Sequence, residues 1–429
     1  MSLIAKSYWA GMPFHFRRPP TDAALESRVL RAEDFRQFRG LYWAPRADPR
    51  PKVAALIMHP RVDFTHHYAI PRLVAAGCSV LAANTRSPND DTDTVHEEIA
   101  LDVAAGVRWL KEHRGAERVV LLGNSGGASL FALYQAQALL EPSQRIAVTP
   151  AGAPAKLASA TLIPADAMIY VAAHRGEGKV LERCIDPSVT DEADPLSCDP
   201  SLDMYAPRNG FAEPPAWSEY DDAFVRRYRA GQRARVARLD AIARAAVAES
   251  AAALAELQAE GFGARDFAAR QAVERRLHAQ RVMVVYRTMA NLHYVDRRLD
   301  PSPRDYGSLL SDRPDLMNLR ALGFARTVTP RAWLSTWSAN ASNADLAANV
   351  GRIATPTLLV QAGRDREIYP KSDFEPIAAA IAAQDKTVVT FDEARHYFEP
   401  EFGAPAAGGA PQVEALMDRV VAWIEERLR

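Results

Sequence analysis

Short apolar runs separated by amphipathic stretches dominate the first 185 residues of this 429-residue chain. Lys52–Met58 (KVAALIM), Cys78–Ala83 (CSVLAA), Arg118–Leu122 (RVVLL) and Ala167–Ala172 (AMIYVA) each carry the continuous apolar pattern of a strand buried on both faces. Leu25–Leu30 and Phe35–Trp43 read as an antiparallel pair ahead of them. Tyr68–Ala76 and Glu97–Glu112 place apolar residues at helical spacing, with Ile99, Val103, Val107 and Leu110 on one face. Strands alternating with helices predict a mostly parallel sheet covered by helices.

The pattern changes from residue 186 to residue 349. Asp, Pro and Ser crowd the stretch up to Pro214, which reads as a long irregular connection. Val236, Leu239, Ile242, Val247, Leu254 and Leu257 then mark one long amphipathic helix, broken at Gly261 and Gly263. Asp266 is the N-cap of a second helix, expected to carry Phe267, Val273, Leu277, Val284, Met289 and Leu292. After residue 350 the first regime returns. Thr355–Gln361 and Lys386–Phe391 are strands, and Phe374–Ala383 and Val413–Leu428 are helices. The expected organisation is therefore an α/β core in two parts, 1–185 and 350–429, interrupted by a helical insertion over 186–349. Ala404–Ala410 is a flexible low-complexity loop.

Charge removes several classes of partner. With 52 Lys+Arg against 53 Asp+Glu the net charge is −1, which gives no field for nucleic acid or an anionic membrane. The arginine-rich stretch Arg226–Arg238 reads as a solvated helix face, because the insertion holds 21 Arg, no Lys and 22 Asp+Glu. No apolar run reaches the ~18 residues of a membrane span. The first twenty residues lack the apolar core of a signal peptide, so a cytoplasmic protein is expected. Three cysteines (Cys78, Cys184, Cys198) fit a reducing compartment, although the spacing would let Cys184 and Cys198 pair.

Chemistry enters at Gly123-Asn124-Ser125-Gly126-Gly127, between the run RVVLL and the helical ASLFALYQAQALL. At such a strand-to-helix corner a serine sits in a strained turn, and flanking glycines avoid Cβ clashes. The following helix aims free N–H groups at any anion that forms there. A hydroxyl needs a base to become a nucleophile, and an imidazole base needs a carboxylate to fix its tautomer. Asp365 follows the strand TPTLLVQ, and His396 follows KTVVTF. Glu367 is an alternative acid in the same turn.

The elbow, the acid turn, the late histidine and the pattern around them resemble the α/β-hydrolase superfamily over roughly residues 25–185 and 350–429. The resemblance implies an α/β-hydrolase fold: a mostly parallel eight-stranded sheet flanked by helices, with a helical cap inserted after the sixth strand. It implies a serine hydrolase with Ser125 as nucleophile, His396 as base and Asp365 as acid. His59-Pro60-Arg61-Val62 matches the loop where family members form half of an oxyanion hole. Pro60, where many members have glycine, lacks an N–H, so Arg61 or Val62 becomes the donor and Gly126 supplies the other. Asn84-Thr-Arg-Ser matches in part a segment that is often Asp-x-Arg-Gly.

The substrate expected from this resemblance is a small-molecule carboxylic ester, bulky and mainly apolar in view of the insertion's size. His59, Asn124, Tyr286, Trp333 and Trp337 are its candidate contacts. No metal, nucleotide or redox cofactor is implied, and a homo-oligomer stays open. Hydrolysis of a C–C bond in a ring-cleavage product, thioesterase, lactonase or amidase activity, and acyl transfer all use the same three side chains. A catalytically silent receptor on this scaffold is the alternative from another class. His66-His67 resembles a metal pair, but neighbouring side chains on an extended segment diverge and no carboxylate or cysteine completes a site.

Overall fold

The computed structural model describes residues 19–401 and 410–428. Residues 1–18 of the stretch expected to lack a leader, and the loop 404–410 apart from its last residue, lie outside them. Eight strands among the described residues pair in one sheet: β1 (Ala23–Arg31), β2 (Gln37–Pro45), β3 (Val53–Ile57), β4 (Ser79–Ala83), β5 (Arg118–Asn124), β6 (Ala167–Val171), β7 (Thr357–Ala362) and β8 (Lys386–Phe391). Their order is β1-β2-β4-β3-β5-β6-β7-β8. β2 runs antiparallel to β1 and β4, and every other pair is parallel. This order and these directions are the α/β-hydrolase fold, as the resemblance implies.

Strands β3, β4, β6 and β7 are buried along their whole length, because apolar layers cover both faces. Period-two alternation divides their side chains between the layers. Leu56, Leu121 and Leu359 face α2 (His96–Arg114) and α3 (Gly126–Ala138). Ile57, Leu122 and Val360 join α1 (Ile70–Ala75) and the closing helix Pro411–Leu428, whose Leu416, Val420 and Trp423 complete that layer. β6 and β7 are hydrogen-bonded neighbours although the whole helical segment lies between them in sequence.

That segment builds an apolar cluster of its own from Leu181, Phe224, Tyr228, Leu239, Met289, Leu292 and Trp333. It begins with α4 (Glu177–Cys184) and continues into α5 (Asp222–Leu257). The Asp221 side chain caps α5 by accepting the Phe224 N–H at 2.7 Å, well before the first apolar position read from sequence. α6 (Phe267–His278) is shorter than the apolar spacing predicts. Apart from Met283, the stretch Val282 to Tyr286 is β-branched or aromatic, and Met283–Val284 pairs with Thr327–Val328 instead of extending the helix. The arginine face of α5 is also not wholly solvated. Arg235 is only 1% exposed and donates twice to Glu192, at 3.0 and 2.8 Å. Cys184 Sγ lies 3.2 Å from the Tyr294 hydroxyl, Cys198 is exposed, and no bridge joins them. No helix among the described residues is long and apolar enough to cross a membrane.

Candidate active site

The site is built at the carboxyl edge of the sheet, where an open α/β sheet leaves room for ligands. Ser125 follows β5 with φ 55° and ψ −123°, a conformation that costs a non-glycine residue about 1–3 kcal/mol. Its N–H is held by the Val171 carbonyl at 3.0 Å. The turn closes only because its neighbours lack Cβ atoms. A Cβ on Gly123 would meet the Ala128 nitrogen at 2.6 Å, and one on Gly127 would meet the Met58 carbonyl oxygen at 2.4 Å. Gly126 opens α3, where helix geometry leaves its N–H without an intrahelical acceptor.

The candidate acid and base lie in the turns after β7 and β8. Asp365 Oδ1 accepts the N–H groups of Glu367 and Ile368 at 2.8 and 3.2 Å, which fixes the carboxylate in an Asx turn. Its Oδ2 lies 2.7 Å from His396 Nδ1. His396 Nε2 has no partner among the described residues and is not hydrogen-bonded to Ser125 Oγ. Burial lowers the affinity of His396 for a proton, but the charge and hydrogen bond of Asp365 outweigh it and hold the imidazole above its ordinary pKa. Glu367 is engaged elsewhere. Its Oε2 accepts the Tyr294 hydroxyl at 2.8 Å and its Oε1 the Leu309 N–H at 2.9 Å. Burial pushes its carboxyl up to about 7 against both bonds.

The loop after β3 departs from expectation. The N–H groups of Arg61 and Val62, expected to face an oxyanion, both donate to His59 Nδ1, at 3.2 and 3.0 Å. The chain bends over residues 60–62, and Pro60 has no N–H of its own to offer. The Arg61 side chain is buried, donating from Nε to Glu177 Oε1 at 3.3 Å and from Nη1 to Asp91 at 3.0 Å. Its guanidinium carbon lies 5.2 Å from the Trp337 ring centre and 5.5 Å from that of Phe324. Burial alone would raise the Glu177 carboxyl, but Arg61, followed by His174, His59 and His96, holds it down to about 2.

His174, Glu177 and Asp91 were not distinguished in the sequence, yet the first two stand beside the elbow. A Cβ on Gly126 would meet Glu177 Oε1 at 2.7 Å, His59 Nε2 at 2.9 Å and His174 Nε2 at 3.0 Å. Their signal was positional: both residues follow directly on β6, at the same sheet edge as Ser125. The remaining expected contacts fall differently. Asn124 braces the elbow, donating to the Val171 carbonyl at 3.0 Å and accepting the Tyr68 hydroxyl at 2.9 Å. Trp333 is core to the helical segment, where its indole N–H donates to Asp240 at 2.8 Å. Tyr286 is half-buried beside the short strand Met283–Val284. Trp337 alone of the three aromatics reaches the site, through Arg61. His66 is exposed and His67 buried against Asn124, and no metal-binding group of His, Cys, Asp or Glu occurs among the described residues.

No protein-family model matches the chain, and no curated protein matches it in sequence. Among solved structures it is similar to an α/β hydrolase, GrgF, from Penicillium sp. sh18, at 12% identity and a TM-score of 0.45, covering 94% of this chain and 99% of that one. The hypothetical protein PA2218 from Pseudomonas aeruginosa has 12% identity and a TM-score of 0.47 over all of both chains. Est1E from Butyrivibrio proteoclasticus has 8% identity and a TM-score of 0.44 over 94% of this chain and 98% of its own. At these scores the functional reading rests on the strand order and geometry of the chain itself.

Proposed function

We propose that the protein is a serine hydrolase that cleaves a carboxylic ester through an acyl-enzyme on Ser125. The observation that carries this reading is the 2.7 Å contact of Asp365 with His396 Nδ1, which leaves Nε2 of the imidazole unpartnered at the sheet edge that bears Ser125. As Ser125 Oγ bonds to the ester carbon, its proton passes to His396 Nε2 and the carbonyl π electrons move to oxygen. Collapse of that oxyanion breaks the bond to the alcohol, which leaves with the proton from His396. A water then loses a proton to His396 and attacks the acyl carbon. Expulsion of Ser125 Oγ, reprotonated by His396, releases the acid. Ser125 and His396 are each 2% exposed, so the reacting carbonyl would be shielded from bulk water.

The polar groups beside Gly126 favour a substrate whose carbonyl end is polar. That the rest of the substrate is bulky and mainly apolar is supported only by the size of the helical segment between β6 and β7. The test is a fluorophosphonate probe with a panel of p-nitrophenyl esters of graded acyl length. Ser125 should be labelled, and Ser125→Ala should lose both labelling and turnover while its melting temperature is preserved. Near-wild-type turnover by Ser125→Ala would sink the mechanism. Turnover confined to dienoic ring-cleavage diketones would replace the ester with a C–C bond.

A further inference from the structure

We infer that the oxyanion hole is completed by the His59 side chain rather than by a backbone amide of its loop. The inference rests on the serine-hydrolase reading above and deepens it. His59 Nδ1 accepts two backbone N–H groups, from Arg61 and Val62, and a ring nitrogen that accepts cannot itself carry a proton. In the neutral ring the proton is therefore on Nε2. That Nε2–H is buried and has no partner among the described residues, in a side chain only 1% exposed. An orphaned buried donor costs about 1–3 kcal/mol, a cost that folding tolerates where a ligand fills the vacancy. Its direction is fixed by the elbow: Nε2 stands 2.9 Å from the Cβ position of Gly126, over the opening of α3.

The same geometry removes the other donors. The Arg61 and Val62 N–H groups are already bonded, and Pro60 has none. Gly126 N–H alone would have to hold an oxyanion beside the Glu177 carboxylate, whose Oε1 comes within 2.7 Å of the same Cβ position. An anion next to a carboxylate needs a second donor. His59 remains neutral there, because burial and then its neighbours Arg61, His174 and His396 disfavour a second proton, against the pull of Glu177. The ring thus has two jobs on two nitrogens: Nδ1 holds the loop and Nε2 holds the developing charge.

Two substitutions separate these jobs. In His59→Asn the amide oxygen falls near Nδ1 and still accepts the loop amides, but nothing replaces the Nε2 donor. In His59→Gln the amide nitrogen falls near Nε2, but the loop loses its acceptor. H59N should keep its melting temperature, hold KM within about threefold, and lose about 10²–10³ in kcat, the usual cost of one oxyanion donor. Its affinity for a trifluoromethyl ketone, which forms a tetrahedral oxyanion adduct on the serine, should fall by a similar factor. H59Q should be less stable yet more active than H59N. The reverse order, with H59N near wild type in kcat and ketone affinity, would assign His59 to the loop alone. If H59N does not fold, H59Q decides: ketone affinity within tenfold of wild type supports the donor, and a hundredfold loss overturns it. A wild-type-like Ser125→Ala would instead overturn the hydrolase reading itself.

Discussion

Asp365→Asn preserves the shape of the acid turn and removes its charge. Oδ1 of Asp365 accepts two backbone N–H groups, at 2.8 and 3.2 Å, and only an oxygen can remain there. The amide NH2 of the variant must then face His396 Nδ1, where Oδ2 now lies at 2.7 Å. A donor in that position turns Nδ1 into an acceptor and moves the ring proton to Nε2, the nitrogen that has to take the proton of Ser125. Inverting the tautomer of a triad histidine costs about 10⁴ in kcat, or about 5.4 kcal/mol at ~1.36 kcal/mol per decade. Glu367→Gln should behave otherwise. Its carboxyl already titrates at about 7 and its partners are Tyr294 and Leu309, so kcat should stay within about threefold while stability falls by about 1 kcal/mol. Both variants are compared in kcat and kcat/KM on one p-nitrophenyl ester, with melting temperatures beside them. An Asp365→Asn enzyme within tenfold of wild type, or a deeper loss in Glu367→Gln, would refute the assignment of the acid.

His396 must be neutral to accept a proton, and Asp365 holds its pKa above the ordinary value, so the acid limb of kcat/KM against pH should have its midpoint above about 6.5. A midpoint below that contradicts the pairing. Gly127→Ala drives a methyl group into the Met58 carbonyl oxygen, since its Cβ would lie 2.4 Å away, and should lower unfolding stability by about 1–3 kcal/mol in urea titration. An unchanged midpoint would show that the elbow has slack. Glu177 has a folded pKa near 2 against an ordinary 4.5, so its stabilisation is present above the unfolded value and disappears between about pH 5 and pH 2. Glu177→Gln removes the buried charge partner of Arg61 and should therefore cost about 1–3 kcal/mol at pH 7, and the gap from wild type should narrow as pH falls. A gap independent of pH would mean that Glu177 acts by packing.

The sheet was legible because its strands obey a simple rule: residues such as Val53–Ile57, buried on both faces, must be apolar throughout. Ser125 was legible for a related reason, since only glycines survive at positions 123 and 127. The pairing of Asp365 with His396 was readable as order along the chain, but its preference over Glu367 depends on which carboxylate meets the ring. That is a matter of turn geometry. The polar cluster was not readable as a unit. Arg61, Asp91 and the His174/Glu177 pair come from three separate stretches of the chain and meet only when the loop after β3 approaches α4. The helix expected through Leu292 ends at His278, because helical apolar spacing does not register that Val282, Val284 and Val285 are β-branched and favour the short pairing of Met283–Val284.

The seam between β6 and β7 has a consequence for how the protein is made. An intervening segment of this length is thermodynamically cheap, since each doubling of a loop adds only about 0.6 kcal/mol. In time it is expensive, because non-local strand pairing is slow. At a synthesis rate of about 5–20 residues per second, β6 waits about 10–40 s after leaving the ribosome before β7 follows it. Through that interval its entirely apolar edge has no neighbour on one side. The helical segment emerges in the meantime and can gather its own cluster before the sheet closes. Ser125 is in place early, but the carboxylate and imidazole proposed to activate it follow the last two strands. A nascent or truncated chain would carry the elbow without the means to use it.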